Sequence, residues 1–530
     1  MEDNSLEELE VEFDSLPIIG PPTNEAFEEP EKRGDRELPP PELKTLPDNL
    51  KYRFLDDTNK FPVIISAKLL GNEEEELMKI LKEHRKAFGY SMDDLKGISP
   101  MITVHRIFME EGAKLVAEFY RGLKPEMKEV VRKEIVRLLD ACIIYPVKES
   151  EWVSPVHCVP KKGGFTVVPN ENNELIPTRT IVGHRRCIDF RKLNKETRKD
   201  HYPLSFLDQT LERLANHTHF FYLDGYSGFS QIVVHPNDQL KTTFICPYGL
   251  HAYRRMPFGL CNAPATFQRC MPAIFVDFIE LIMEVFMDDF SFYGTLFTCC
   301  LDNLKRVMQH CEETNLVLNC EKCHFMVKEG IVLGRKVSGK GTEVDRVKVA
   351  AIERMSQLRD IKGIRSFLGH VGFYRRFIRN FSRITKPLTN LLQKGVRFNF
   401  DDKCLVSFDK LKYALSHAPI IKPPIWDMTF DSICEASNDV VGVTLGQHIG
   451  HRFNIIHHAS RTLNSAQNNY PKEERELLAI FFSCDKFHSY IVDAKVRVHT
   501  DRDGLKQLLE RKNHKPRQIR WILLLQEFEL

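Results

Sequence analysis

Three carboxylates stand where they could do chemistry. Asp288 and Asp289 are adjacent in Phe286-Met287-Asp288-Asp289, between the apolar runs Leu281-Ile282-Met283-Glu284-Val285 and Phe290-Ser291-Phe292-Tyr293. Two acids that interrupt two apolar, aromatic-rich runs predict strand, tight turn, strand, with the acids at the tip. Asp224 closes another apolar run, Phe220-Phe221-Tyr222-Leu223-Asp224. Carboxylates gathered at strand ends repel one another unless cations lie between them. Hard divalent cations such as Mg2+ take oxygen ligands of this kind and share them with substrate phosphates. The chemistry that fits is two-metal phosphoryl transfer. An Asp-Asp pair alone is more often a solvated turn, so the surrounding sequence carries the weight.

The acids need elements to hold them. Apolar spacing through Val130, Ile135, Leu138 and Leu139, with Pro125 in the first turn, predicts a helix over 125–140. Leu77, Ile80, Leu81 and Phe88 predict another from Glu73 to Phe88. From 142 to 345 short strands alternate with helices, broken by Gly and Pro. A further helix is expected from Ile364 to Phe381. The last hundred residues change rhythm. Three strands (Phe430 to Glu435, Val440 to Gln447, Phe453 to Ala459) precede a helix from about Lys472 to Tyr490 that buries Leu477, Ile480, Phe481, Cys484 and Phe487. A strand, Lys495 to His499, and a short helix follow.

Other motifs come before the Asp-Asp turn in a fixed order. They are Arg186-Cys187-Ile188-Asp189-Phe190-Arg191-Lys192-Leu193-Asn194, then Leu223-Asp224-Gly225-Tyr226-Ser227-Gly228-Phe229, then Arg255-Met256-Pro257-Phe258-Gly259-Leu260-Cys261-Asn262-Ala263-Pro264-Ala265-Thr266-Phe267-Gln268. With the turn, this set resembles the polymerase of gypsy-type LTR retrotransposons and, more distantly, retroviral reverse transcriptases. The likeness runs from about Pro41 to the C-terminus and is closest to plant elements. It implies an α+β multidomain fold: a right-hand polymerase of fingers, palm and thumb, a connection, and a C-terminal RNase H-like α/β domain, which the closing strand–helix pattern also fits. The expected divisions are a disordered acidic, Pro-rich segment 1–48, an element-specific region 49–115, fingers and palm 116–345, thumb and connection 346–425, and the RNase H-like domain 426–530.

The resemblance also assigns roles. Asp224, Asp288 and Asp289 would hold two Mg2+ ions (Mn2+ as the alternative), with Asp224 and Asp288 as the main ligands. Lys162 and Arg185 would grip the incoming triphosphate, although His184 stands where the family has Trp. Phe229 would lie beneath the sugar and select deoxynucleotides, with Phe258 lining the same pocket. Template and primer would be bound mainly through phosphates, salt-sensitively and with little sequence preference, and the basic residues of 121–201 with Arg375, Arg376 and Arg379 are the candidates, with no individual contact assigned.

Glu435, Glu476 and Asp501 match acids of an RNase H metal site. Glu435 replaces Asp, and its extra methylene moves the carboxylate by about a bond length where placement within about 0.5 Å is needed. The chain ends at Leu530 before the last expected acid, so weak or absent RNase H activity is expected. Glu474 reads as a solvated helix charge. The function implied is an RNA-directed DNA polymerase acting with an RNA template, a DNA primer, RNA–DNA hybrid and dNTPs, beside other products of the same polyprotein. The alternative is an inactive remnant that at most binds nucleic acid. Phe229 and the RNase H-like tail disfavour an RNA-dependent RNA polymerase.

Composition excludes other classes. The 530 residues carry a net charge of +2, so the total points to no partner, while 121–201 is locally basic. Fourteen Cys in so long a chain suit a reducing compartment rather than a disulfide framework. Cys320-x-x-Cys323-His324 has the spacing of a haem or zinc half-site, with packed thiols the plainer reading. No apolar run approaches the ~20 residues of a membrane span. No secretory signal pattern and no Asp-Thr-Gly or Asp-Ser-Gly protease triplet occur. The expected location is the cytoplasm, in a virus-like particle, or the nucleus.

Overall fold

A computed structural model describes residues 43–169, 175–203, 207–215, 217–500 and 515–529. The chain divides into two compact units. One comprises 1–164, 179–206 and 219–328, and the other 165–178, 207–218 and 329–530. Most of the segment expected to be disordered, 1–48, lies outside the described residues.

The first unit is built on a six-stranded sheet. Its order is Leu50–Phe54, Pro62–Ser66, His324–Val327, His219–Asp224, Asp289–Gly294, Met283–Phe286. Alternation along the two central strands sends Phe221, Leu223, Phe290 and Phe292 into one core with Phe267, Phe275, Leu304 and Met308 of the helices Ala263–Phe275 and Phe297–Thr314. A five-stranded sheet runs Ile144–Pro146, Gly249–Tyr253, Phe244–Cys246, Ser154–Pro169, Leu175–Ile188. The helix Pro125–Asp140 packs there through Val131, Ile135 and Leu138. The expected 73–88 helix is shorter, Gly71–Glu83. Phe88 leaves it to begin a two-residue strand paired in parallel with Leu318–Asn319, and its ring meets Phe325 at 5.8 Å.

The second unit joins a helical layer to a four-stranded sheet. The helices Arg346–Glu353, Ile361–Gly372, Phe381–Asn390 and Asp402–Ser416 share a core of Val349, Ile364, Phe367, Phe408 and Leu411. The sheet order is Arg452–Thr462, Val440–Ile449, Phe430–Ala436, Val496–His499, with the last pair parallel. The helix Lys472–Ile491 covers one face through Leu477, Leu478, Cys484 and Phe487, and a final helix spans Pro516–Leu525.

The expected 364–381 helix is interrupted. It stops at Gly372, passes through a 3-10 turn Arg375–Phe377, and restarts after Asn380, whose φ is +55°. The break turns Arg376 inward to 4% exposure. There it pairs with Glu212 and with Asp208 at 3.1 Å, and donates from Nε to the Ile456 carbonyl at 3.1 Å. The Tyr490 hydroxyl donates to the same Glu212 at 2.6 Å. A guanidinium so enclosed has no face left for a nucleic-acid phosphate, which corrects the expectation for Arg376.

Candidate active site

The central strands place two acids side by side. His219–Asp224 runs antiparallel to Asp289–Gly294, with Leu223 opposite Phe290 and Asp224 opposite Asp289. Leu223 and Phe290 point into the core, so the acids one residue on emerge together on the other face. Met283–Phe286 closes the hairpin with Phe286 opposite Asp289, which leaves Met287 and Asp288 as a two-residue turn. Met287 has φ +55°, a conformation that costs an L-residue roughly 1–2 kcal/mol. The Met287 amide donates to Gln268 Oε1 at 2.8 Å, from a side chain only 4% exposed on the helix Ala263–Phe275. The Asp288 carbonyl accepts from the Gly225 amide at 3.0 Å.

The loop after Asp224 is held as tightly. Gln231 is fully buried, donates to the carbonyls of Tyr226 and Val317 at 2.9 and 2.8 Å, and accepts from the Val317 amide at 2.8 Å. A Cβ at Gly228 would lie 3.1 Å from Phe267 and 3.3 Å from Asp288 Cβ, so glycine lets this loop pass close to the turn.

The electrostatics reveal too little positive charge. Burial, then the nearby Asp224 charge, pushes the Asp288 carboxyl up. Burial, then the charges of Asp288 and Asp224, raises Asp289 to about 6. Lys322 Nζ sits 2.7 Å from Asp224 Oδ2 and is the cation that opposes these shifts. Three hard oxygen donors with one ammonium between them suit added divalent cations. Among the described residues no three His, Cys, Asp or Glu side chains already converge as a metal cage. Asp224 is turned onto Lys322, and binding would need the carboxylates to turn inward.

Phe229 lies in the 3-10 turn Gly228–Gln231, its ring 4.7 Å from Phe258 and 5.5 Å from Phe267. Phe258 is 61% exposed, an aromatic lid over a buried ring. Arg185 is exposed on the strand Leu175–Ile188 and makes no ion pair among the described residues. The Lys162 side chain and the whole of Asp501 lie outside the described residues.

The second acid set is engaged differently. Ser432 and Cys434 face the helix Lys472–Ile491, where Ser432 Oγ lies 2.6 Å from Ser483 Oγ. Alternation therefore puts Glu435 on the opposite face. Arg379 pairs with Glu435, and Asn380 Nδ2 donates to it at 3.3 Å. Arg379 stays exposed in this pair. Glu476 is buried on the helix, with Oε2 lacking a hydrogen-bond partner. Glu474 is not solvated. At 3% exposure it pairs with Lys515 and Arg517 and accepts from Gln518 at 3.1 Å. Burial raises its pKa, and those bonds outweigh burial and leave it lowered.

Gln268, Gln231 and Lys322 are the residues that sequence reasoning missed. Gln268 closes a motif already singled out. Lys322 lies inside the Cys320-x-x-Cys323 spacing that drew attention to the thiols instead. Both cysteines are fully buried, and burial pushes the Cys320 thiol up to about 12.

The chain is similar to known proteins. Residues 159–344 match the family model described as reverse transcriptase (RNA-dependent DNA polymerase). Residues 427–528 match an RNase H-like domain found in reverse transcriptase. The chain is 33% identical over 414 residues to the retrovirus-related Pol polyprotein from transposon opus of Drosophila melanogaster, covering 76% of this chain and 40% of that one. It is 31% identical over 408 residues to that of transposon gypsy of the same organism, covering 74% and 38%. The Tf2-3 polyprotein of Schizosaccharomyces pombe is 28% identical over 433 residues, covering 79% and 31%. The chain thus spans about two-fifths or less of these relatives' length. Its fold is similar to foamy viral protease-reverse transcriptase solved with RNA/DNA hybrid (TM-score 0.71, 19% identity, 87% of this chain and 60% of that one). The same protein solved with dsDNA gives a TM-score of 0.73 at 19% identity, covering 87% and 92%. By these matches the chain carries a reverse transcriptase domain followed by an RNase H-like domain, and it is similar to the Pol polyproteins of LTR retrotransposons.

Proposed function

We propose that this chain extends a DNA primer on an RNA template, taking dNTPs and holding the growing RNA–DNA hybrid, for a gypsy-type element. The observation that carries the reading is the cross-strand pair Asp224–Asp289 with Asp288 on the adjoining turn. Asp224 and Asp288, with Asp289 behind them, would hold two Mg2+ ions or Mn2+ in their place, which when bound would favour ionisation of the primer 3′-hydroxyl and neutralise the triphosphate. Lys162 and Arg185 bind the triphosphate as a point charge and a planar fork. Phe229, backed by Phe267 and covered by Phe258, fills the space a ribose 2′-hydroxyl would need. Gln268 and Gln231 keep the acids in register, and Lys322 balances one of the three negative charges.

Within this reading, 49–115 is the element-specific region, 116–345 serves as fingers and palm, 346–425 as thumb and connection, and 426–530 as the RNase H-like domain. RNase H activity is weak or absent, because Glu435 stands where the resemblance expects Asp and its extra methylene displaces the carboxylate. The motif wording supports a plant-type element, and other products of its polyprotein would accompany the chain in a cytoplasmic virus-like particle or in the nucleus. Among the described residues no helix is long and apolar enough to cross a membrane.

The test is Mg2+-dependent extension of a DNA primer on an RNA template, beside Asp288→Asn. Extension by the parent chain and its loss in the variant are expected. No extension from a folded, template-binding protein would sink the reading and leave a binding remnant.

A further inference from the structure

In the second unit, a cavity of about 230 Å³ opens between the segment Arg375–Phe381, the edge strand Arg452–Thr462 and the helix Lys472–Ile491. Arg375, Arg461 and Lys486 line it, and no carboxylate does. These three side chains are exposed and make no ion pair among the described residues. The Arg461 guanidinium lies 5.0 Å from the centroid of the buried Phe482 ring, which fixes its plane without neutralising it. The walls are pinned, since the Ser382 amide donates to Ser460 Oγ at 2.8 Å and Ser382 Oγ to the Ser460 carbonyl at 2.9 Å.

The two imidazoles that line the cavity add no charge of their own near pH 7. Burial first, then the Arg376 charge, depresses His457 to about 3. Asp208 opposes that shift and Lys486 adds to it. Burial, then Arg379, depresses His458 to about 4 against Glu435. Both rings are neutral near pH 7, yet three uncompensated cations remain around a hollow. The volume is below the about 300 Å³ at which drug-sized pockets begin, so it suits one small charged group rather than a whole cofactor. A planar guanidinium beside an ammonium is a phosphate-recognition pair.

We infer that this cavity is a phosphate-binding site, with Arg461 and Lys486 as its ligands and Arg375 at its rim. Its occupant is a phosphodiester group of the bound duplex, an assignment that rests on the function proposed above. A soluble phosphate offers the same chemistry, and the test separates the two.

The test uses the full chain, an Arg461→Ala/Lys486→Ala double variant, Lys486→Glu, and a Lys403→Ala/Lys410→Ala control that removes two exposed charges elsewhere. The affinity for a fluorescent DNA duplex is read between 50 and 200 mM salt, and thermal melting is read with and without pyrophosphate. Each lost phosphate contact lowers the log–log salt slope by about 0.9, so the double variant should lose about 2 and the control nothing. Lys486→Glu, which puts a negative charge at the site, should weaken duplex binding relative to the parent chain by more than the control does. An unchanged slope, with pyrophosphate raising the melting temperature of the parent chain but not of the double variant, keeps the site and overturns the duplex as its occupant. No change in either measurement overturns the site. Primer extension is run on the same parent sample. Its absence beside a real slope loss sinks the polymerase reading and leaves the site standing.

Discussion

Replacing Gln268 by Met tests whether the acids are held by a single buried acceptor. The substitution keeps the volume of the side chain but removes the oxygen that receives the Met287 amide at 2.8 Å. That amide would then sit unpaired beneath a turn already in the left-handed region. Leaving this part-buried donor unsatisfied costs about 1–3 kcal/mol. The cost is borne by the turn that carries Asp288, so it emerges as a smaller fraction of molecules with the acids in register. At about 1.4 kcal/mol per tenfold, the turnover rate should fall about 5- to 160-fold. Steady-state extension on a homopolymeric template reads this as a fall in kcat, with the dNTP KM changed much less because Arg185 and Phe229 are untouched. Met287→Gly in the same background should recover part of the rate, since glycine adopts positive φ without penalty. An unchanged kcat in a well-folded Gln268→Met protein would refute the reasoning. So would a loss matched by global unfolding in circular dichroism.

Two stability predictions follow from the buried charges. Arg376→Ala should destabilise the second unit by about 3–5 kcal/mol in urea titration, because it strands Glu212. Arg376→Met combined with Glu212→Leu should regain most of that loss, and equal losses in both variants would argue against it. Stability should also fall between pH 6.5 and 4. Burial holds His105, His251 and His458 at about 4, so the unfolded chain takes protons that the folded one refuses. Urea midpoints that are flat between pH 7 and 5 would contradict this.

The placement of the three acids was legible because it is written locally. Phe290 and Phe292 alternate inward, and that alternation forces Asp289 and Asp224 to the opposite face. What stayed hidden depends on partners far along the chain. Lys322 meets an acid 98 residues before it, and no spacing rule marks such a pair. The break after Gly372 follows from burying Arg376 against Glu212, 164 residues away, whereas the local apolar pattern favours one continuous helix. Glu474 occupies a first-turn position that reads as solvated until Lys515, 41 residues on, closes over it. Phe88 has helical spacing but is claimed by backbone pairing with Leu318.

The buried cluster around Arg376 also bears on how this chain can be divided. Its guanidinium depends on the carbonyl of Ile456, and Glu212 depends on the hydroxyl of Tyr490. Both partners lie beyond residue 426, where a cut meant to isolate the polymerase would fall. Such a truncation would remove a carbonyl acceptor from one ion and a hydroxyl donor from the other, and would leave the pair open to water. The RNase H-like segment therefore supplies polar partners to the buried ion pair that Glu212 of the helix Leu207–Leu214 forms with Arg376. Evolution could erode its active site and still be unable to discard it.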